Sequence, residues 1–240
     1  MKQPKVIAVM PAYNASKTLE KTIKDIPKNT VDKIILVDDN STDDTVKLAK
    51  KLGLQVIKHP QNRGYGGNQK TCYTAALNEG ADIVVMIHPD YQYDSTLTGK
   101  LIEPIIEGRF DVMLGSRIRT RKEALEGGMP SWKYSANRFL TLIENIVLGQ
   151  NLSEYHTGFR AFSKKVLTTI PFHRYSDDFV FDQDILLGVI AKDYRIGEIA
   201  VPVRYFSEAS SINFKRSVIY GLSILCDLGL YLATRGKWFL

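Results

Sequence analysis

Cysteine is scarce in this chain of 240 residues, which has only Cys72 and Cys226. The two lie far apart and match no spacing of a cysteine metal site, so we expect reduced, partly buried thiols. The chain also lacks a G-x-G-x-x-G turn after its first predicted strand, which leads instead into Pro11. This absence disfavours a dinucleotide-dependent dehydrogenase.

Signals for export and for membrane spanning are weak. The first five residues lead directly into a strand, without the apolar core and cleavage site of a signal peptide, so a cytosolic protein is expected. Residues 217–234 are largely apolar, but Asp227 lies at their centre, where a carboxylate costs about 2.5–3.5 kcal/mol on insertion scales. An interfacial helix, or one packed on the domain or on a second subunit, is therefore favoured over a spanning helix.

The chain carries an excess of positive charge, with a net charge of +6 and 24% charged residues. No basic stripe is interleaved with aromatic residues, so we do not expect a nucleic acid partner. One cluster of cations either faces solvent or receives a phosphate head group beside an anionic membrane. Each cation near such a surface contributes about 1 kcal/mol to membrane binding. The members of this cluster are Arg117, Arg119, Arg121 and Lys122, followed by Trp132, Lys133 and Arg138.

Short apolar runs alternate with helical segments, which predicts an α/β fold with a mostly parallel sheet. The expected strands are 6–10, 34–37, 54–58, 83–87 and 111–117, and the expected helices are 15–25, 43–53, 69–78 and 132–148. Asn14 is a plausible cap of the first helix. Residues 62–68 are too rich in glycine for regular structure, and residues 118–130 suggest a mobile loop over a site.

Polar residues follow three of these strands. Pro11-Ala12-Tyr13-Asn14 follows the first strand, Asp38 and Asp39 end the second, and a run from His88 to Asp94 follows the fourth. The carboxyl ends of parallel strands form the edge where open α/β sheets bind ligands. An imidazole with several carboxylates suits a divalent cation and the phosphates it carries, although polar turns use the same residues.

These segments together resemble a known family. The motifs are P-A-Y-N, V-D-D-N-S-T-D-D-T, N-x-G-x-G-G-N, H-P-D, G-S-R, T-G-F-R-A-F and F-D-Q-D, in that order. They are similar to the family 2 glycosyltransferases with the GT-A fold, and most of all to the polyprenyl-phosphate (dolichyl-phosphate) sugar transferases. The resemblance implies a Rossmann-like three-layer α/β/α catalytic domain at 1–212, followed by an amphipathic or interfacial helix at 213–240.

The resemblance also implies an activity. An inverting, metal-assisted enzyme would move one sugar from a UDP or GDP sugar to polyprenyl phosphate, as a peripheral protein at the cytoplasmic face of the membrane. It would act as a monomer or as a homo-oligomer. The family's Asp-x-Asp metal motif is matched by His88 and Asp90, so either Mn²⁺ is favoured over Mg²⁺ or Asp90 is the sole carboxylate ligand. A soluble or polysaccharide acceptor, or a nucleotide-sugar-binding module with little turnover, are the alternatives.

Individual residues take roles from the matched motifs. The resemblance assigns the nucleotide to Pro11, Ala12, Tyr13, Asn14, Asp39, Gly67, His88 and Asp90. It assigns the sugar and acceptor side to His156, Thr157 and Gly158. A mobile segment near the site corresponds in part to residues 205–211.

The catalytic assignments are Asp182, Asp184 and Arg117. Asp182 is favoured as the base, because the family's F-D motif aligns with it. A phosphate monoester, whose second pKa is near ~6, is already a dianion and hardly needs a base. With such an acceptor we expect Asp182 to orient metal or sugar, while Arg117 and Arg160 bind phosphates through charge-assisted hydrogen bonds.

Overall fold

The computed structural model describes residues 3–118, 120–202 and 214–240. Arg119 and the predicted mobile segment at 205–211 lie outside the described residues. The strands are β1 (Val6–Ala12), β2 (Lys33–Asp38), β3 (Gln55–Lys58), β4 (Ile83–Met86), β5 (Val112–Ser116), β6 (Arg160–Ser163) and β7 (Ile196–Ala200). They form a seven-stranded sheet in the order β3-β2-β1-β4-β6-β5-β7. Only β6 runs antiparallel to its neighbours among these strands, so the predicted mostly parallel α/β sheet is confirmed.

Helices cover both faces of the sheet. Those in the described residues are α1 (Leu19–Asp25), α2 (Thr45–Lys51), α3 (Gly64–Asn78), α4 (Thr98–Ile106), α5 (Arg121–Glu126), α6 (Ser131–Leu148), α7 (Lys164–Thr169), α8 (Phe181–Ala191) and α9 (Phe214–Thr234). Short 3-10 turns lie at Ser95–Leu97, Phe172–Arg174 and Lys237–Phe239.

The pleat of β1 shows how the sequence builds the two cores. Ile7 and Val9 join the core beneath α3 and α8, whereas Ala8 and Met10 join the core beneath α1 and α4. Successive strand residues point to opposite faces, and burial of each large apolar side chain stabilises the fold by about 1.5–3 kcal/mol. A strand buried on both faces needs the continuous apolar run that the sequence supplies.

The glycine-rich stretch forms regular structure, contrary to the prediction, because α3 begins at Gly64. A Cβ on Gly66 would lie 2.5 Å from the Ser176 carbonyl oxygen and 2.7 Å from the Phe181 Cβ. The N–H groups of Gly66 and Gly67 both donate to the Asp177 carbonyl. Because these glycines lack side chains, the backbone of Ser176 and Asp177 packs directly against the first turn of α3.

Two other predicted elements are also wrong in detail. The first helix begins at Leu19, and Asn14 adopts a left-handed conformation (φ 52°) instead of capping it. Within the predicted loop at 118–130, α5 forms because the Thr120 hydroxyl accepts a hydrogen bond from the Glu123 N–H, an N-terminal cap.

The helix α9 is long and apolar enough to cross a membrane by length and composition, with a mean hydropathy of 1.5 over an 18-residue window within Lys215–Thr234. Its inner side packs on the core through Ile224 and Leu228. Asp227 is partly buried, and burial together with the charge of Asp184 raises its pKa to about 7. Val218 and Leu222 remain exposed.

Candidate active site

A cleft of about 810 Å³ opens at the carboxyl ends of β1, β2 and β4 and extends between α6 and α9. Most of the residues predicted for the site line this cleft, namely Pro11, Ala12, Tyr13, Asp39, His88, Asp90, Arg117, His156, Gly158 and Asp182. The remaining predicted residues do not line it, namely Asn14, Gly67, Thr157, Arg160 and Asp184.

One end of the cleft is formed by the last residues of β1 and the residue after β2. Tyr13 offers a ring that is 54% exposed. The Asp39 carboxylate is buried and accepts hydrogen bonds from His59 Nδ1 at 2.8 Å, from the Arg63 N–H at 2.8 Å and from the Gly64 N–H at 3.1 Å. These three donors hold the Asp39 carboxylate in place. A carboxylate has about four acceptor positions, so one position remains for a further donor.

Asn14 and Asp38 connect the loops after these two strands. The Asn14 side chain accepts a hydrogen bond from the Thr42 N–H at 2.9 Å. The backbone N–H of Asn14 donates to the Ser41 hydroxyl. Asp38 accepts from the Ser41 N–H at 3.0 Å. Asn14 is thus placed to hold the loops, not to contact a ligand in the cleft.

The centre of the cleft is organised around the Asp182 carboxylate, in the first turn of α8. The Tyr65 hydroxyl donates to Oδ2 at 2.7 Å, and the Gln69 amide donates to Oδ1 at 3.0 Å. Tyr65 and Gln69 are site residues that sequence reasoning missed. Tyr65 lay inside a motif that was interpreted as an irregular loop. Gln69 lies on the same helix, α3, and its side-chain amide was the signal that could have identified it.

Burial keeps two groups near Asp182, Tyr65 and His88, neutral. Burial, with a contribution from the charge of Asp182, raises the pKa of Tyr65 well above its usual value, so its hydroxyl remains a donor. Burial likewise lowers the pKa of His88 against the opposing charge of Asp90. The cleft centre therefore offers a carboxylate oriented by neutral side chains, with the Arg160 guanidinium 3.6 Å from its Oδ1.

A divalent cation is the cofactor implied by the resemblance, and Asp90 is the residue that fits it. Asp90 lines the cleft, and its Oδ1 accepts one hydrogen bond, from the Gln92 N–H at 3.1 Å. The described part of the chain contains no group of three or more His, Cys, Asp or Glu side chains that could hold a metal ion. Carboxylate oxygens such as those of Asp90 and phosphate oxygens of a ligand are donors that Mg²⁺ and Mn²⁺ accept.

The other end of the cleft contains Arg117, which is engaged by Glu154. The Glu154 carboxylate accepts from the Arg117 N–H at 2.7 Å and from Nε at 2.9 Å. Burial opposes the charge of Glu154, yet the charge and hydrogen bonds of Arg117 lower its pKa. Arg117 also donates to the His156 carbonyl and lies over the Tyr93 ring. Its guanidinium lines the cleft as half of a buried ion pair.

Lys133, in the first turn of α6, is a further cation at this end of the cleft. Burial and the nearby charge of Arg117 lower its pKa to about 8, against the opposing effect of Glu154. Arg216 and Tyr220 of α9 line the same region. His156 lies between the two helices, with Nε2 3.1 Å from a Glu144 carboxylate oxygen and Nδ1 3.2 Å from the Tyr220 hydroxyl.

Arg160 is placed differently from the prediction. Its guanidinium is fully buried and donates to the carbonyls of Thr157, Asp182 and Tyr155. The donors that would bind a phosphate are thus used by the backbone, and the role of Arg160 is to hold the chain around the cleft. Thr157 has a similar placement, because its buried hydroxyl donates to the Gly115 carbonyl at 2.6 Å.

Asp184 and Gly67 also lie outside the cleft lining. Asp184 accepts from the Ser176 N–H at 2.9 Å, and burial raises its pKa. Residues two apart at a helix start point in different directions, so Asp182 faces the cleft and Asp184 does not. The Gly67 N–H is bonded to the Asp177 carbonyl and is not directed at a ligand.

Comparison with known proteins identifies the family of this chain. Residues 7–170 match the family described as glycosyl transferase family 2. A UDP-N-acetylglucosamine–dolichyl-phosphate N-acetylglucosaminyltransferase of Methanococcus voltae is 29% identical over 240 residues, covering 93% of this chain and 94% of the relative. A dolichyl-phosphate hexose transferase of Haloferax volcanii is 25% identical over 197 residues, covering 82% of this chain and 81% of the relative.

A similar fold occurs in a solved structure, the glucosyl-3-phosphoglycerate synthase of Mycobacterium tuberculosis with Mn²⁺, UDP and phosphoglyceric acid. The TM-score is 0.73 at 18% identity, and the match covers 98% of this chain and 79% of the synthase. The predicted GT-A fold is confirmed by this likeness together with the family match.

Proposed function

Because the chain belongs to glycosyl transferase family 2 and is a glycosyltransferase with the GT-A fold, we propose that it transfers one sugar, with inversion, from a nucleoside-diphosphate sugar to a polyprenyl phosphate. The transfer takes place at the cytoplasmic surface of a membrane, to which the protein binds peripherally. Two relatives named for transfer to dolichyl phosphate support this acceptor class.

The observation that carries the proposal is the composition of the cleft between α6 and α9. Lys133 and Arg216 contribute cations inside it. Outside it, α6 exposes Phe139 (60%), Leu142 (57%) and Ile146 (73%) to solvent. An anionic head group beside a long apolar chain needs this combination of cations and apolar surface. A soluble sugar phosphate would need the cations alone.

The donor occupies the end formed by β1 and β2. The exposed ring of Tyr13 suits stacking on a base, and Asp39 retains an acceptor position for a base N–H. A bound divalent cation would neutralise the leaving diphosphate, with Asp90 as its protein ligand. A UDP sugar is the first donor to test, because the name of the relative from Methanococcus voltae contains a UDP sugar.

The acceptor phosphate approaches from the other end of the cleft. A dianionic phosphate oxygen is itself a nucleophile and needs no proton removed, so Asp182 acts by orienting the sugar. Lys133 and Arg117 attract the phosphate, although Glu154 offsets much of the charge of Arg117. Lys133 therefore supplies the main titratable charge for acceptor binding.

The KM for the lipid acceptor is expected to rise about tenfold as pH increases through about 8. A lysine with a lowered pKa is charged below that value and neutral above it, while the acceptor phosphate stays a dianion throughout. Initial rates at several acceptor concentrations between about pH 7 and 9.5 measure this dependence. In Lys133→Arg, whose cation does not titrate there, the KM should be flat. An equally steep rise in that variant would remove Lys133 from the acceptor site.

Membrane binding is expected to depend on the exposed side of α6. Replacing Phe139, Leu142 and Ile146 together with Ser should weaken binding to anionic vesicles at least about 100-fold, since burial of each side chain contributes about 1.5–3 kcal/mol. Vesicle flotation measures the bound fraction. Ile106→Ser is the control, because Ile106 is an exposed apolar residue on α4. Equal binding by the triple variant and this control would exclude α6 as the membrane contact.

The proposed activity is tested by incubating the protein with polyprenyl phosphate and radiolabelled UDP or GDP sugars, with Mn²⁺ or Mg²⁺. Label in the organic extract supports the proposal and identifies the donor. Label that stays in the aqueous phase with every donor and cation, as unreacted nucleotide sugar or as free sugar, contradicts it. A transferase for a soluble phosphate acceptor is the second candidate, favoured by the fold shared with the synthase from Mycobacterium tuberculosis.

A further inference from the structure

Tyr65 lies between two rings at the centre of the cleft. Its ring stacks on His88, with centroids 5.5 Å apart and planes 1° apart, and on Phe179, with centroids 4.7 Å apart. Its hydroxyl oxygen is 2.7 Å from Asp182 Oδ2 and 3.3 Å from His88 Nε2. Three polar side chains from α3, α8 and the loop after β4 thus meet at one hydroxyl group.

The donors and acceptors in this group have a defined order. An ionised carboxylate only accepts hydrogen bonds, so the single hydroxyl proton of Tyr65 is used by Asp182. His88 Nε2 can then bond to the Tyr65 oxygen only as a donor. The chain of hydrogen bonds runs from His88 through Tyr65 to Asp182, and it assigns the His88 proton to Nε2.

The surrounding chain is built to keep His88 in this position. A Cβ on residue 158 would lie 2.6 Å from His88 Nε2, so Gly158 leaves the space that the imidazole occupies. The other oxygen of Asp182 is held by Gln69 at 3.0 Å, with an Arg160 guanidinium nitrogen at 3.6 Å. The Asp182 carboxylate is therefore fixed on both oxygens.

We propose that Tyr65 is the positioning residue for Asp182, and that His88 Nε2 completes this hydrogen-bond chain. The proposal rests on the role of Asp182 in the proposed function. Nε2 of His88 is used as a donor in this chain, which leaves Nδ1 as the acceptor nitrogen of the ring.

A double-mutant cycle tests the role of Tyr65. Tyr65→Phe keeps the stacked ring and removes the hydroxyl, so kcat should fall about tenfold while both KM values change less than about twofold. In an Asp182→Ala background the same change should have an effect below about twofold, because Tyr65 acts through that carboxylate. A full tenfold loss in both backgrounds would overturn the proposal, since a purely structural effect is additive.

Tyr155→Phe is the matched control. It also removes a buried tyrosine hydroxyl, one that donates to the Asn145 side chain at 2.9 Å and lies outside the cleft lining. Its kcat should stay within about twofold of the wild-type value. A wild-type protein that uses only a soluble acceptor would overturn the proposed function, and the cycle would then be measured with that acceptor.

Discussion

Replacing Asp90 with Asn is expected to lower kcat/KM for sugar transfer at least about 100-fold, the largest catalytic effect we predict for a single substitution. Asp90 is the carboxylate of the H-P-D motif and lines the cleft with one oxygen bonded to the Gln92 N–H. An amide of the same size keeps that hydrogen bond but removes the charge that would attract a divalent cation. Transfer rates measured with saturating Mn²⁺ or Mg²⁺ reveal the loss.

Asp94→Asn is the matched control for this experiment, because it removes the same charge from the same loop. Asp94 accepts hydrogen bonds from Thr96 and does not line the cleft. Its kcat/KM should remain within about twofold of wild type. Unchanged activity in Asp90→Asn, or equal losses in both variants, would remove Asp90 from the metal site.

Arg160→Met is expected to reduce the free energy of unfolding by about 3–5 kcal/mol, the largest stability effect that we predict. The guanidinium is fully buried and donates to three carbonyls, so its removal leaves those oxygens and the Asp182 carboxylate without a cation nearby. Urea unfolding followed by circular dichroism measures the change.

The control for this prediction is Arg109→Met. Arg109 pairs with Glu107 on the surface, where an ion pair contributes about 0–1 kcal/mol. If Arg160→Met is as stable as this control and only activity is lost, Arg160 would return to the phosphate-binding role that the sequence suggested.

The sequence predicts β1 to β5 because these strands have a strong local signal, whereas β6 and β7 were not predicted. Continuous apolar runs such as Val6–Ala12 have to be buried on both faces, and polar residues mark where they end. Asp39, His88 and Asp90 therefore lie at one edge of the sheet, as the strand ends predicted. Asp182 lies with them because α8 begins at the same cleft.

The errors arise where distant segments decide the structure. Nothing near Gly66 in the sequence shows that the carbonyls of Ser176 and Asp177 pack against it, so a helix start resembled a loop. A lone arginine in a motif suggests phosphate binding, and only the fold shows that Arg160 is enclosed by backbone carbonyls. Tyr65 was overlooked for the same reason, because its partner Asp182 is 117 residues away.

The central claim is that the acceptor is a lipid phosphate, and a direct comparison of acceptors tests it. The purified protein is given one radiolabelled donor and either polyprenyl phosphate in anionic vesicles or 3-phosphoglycerate in solution, and kcat/KM is measured for each. The cations of the cleft can attract both phosphates, but the exposed side of α6 can contact only the lipid. We predict a kcat/KM at least about 100-fold higher for polyprenyl phosphate. A higher kcat/KM for the soluble phosphate would contradict the claim and make this chain a transferase for small phosphorylated acceptors.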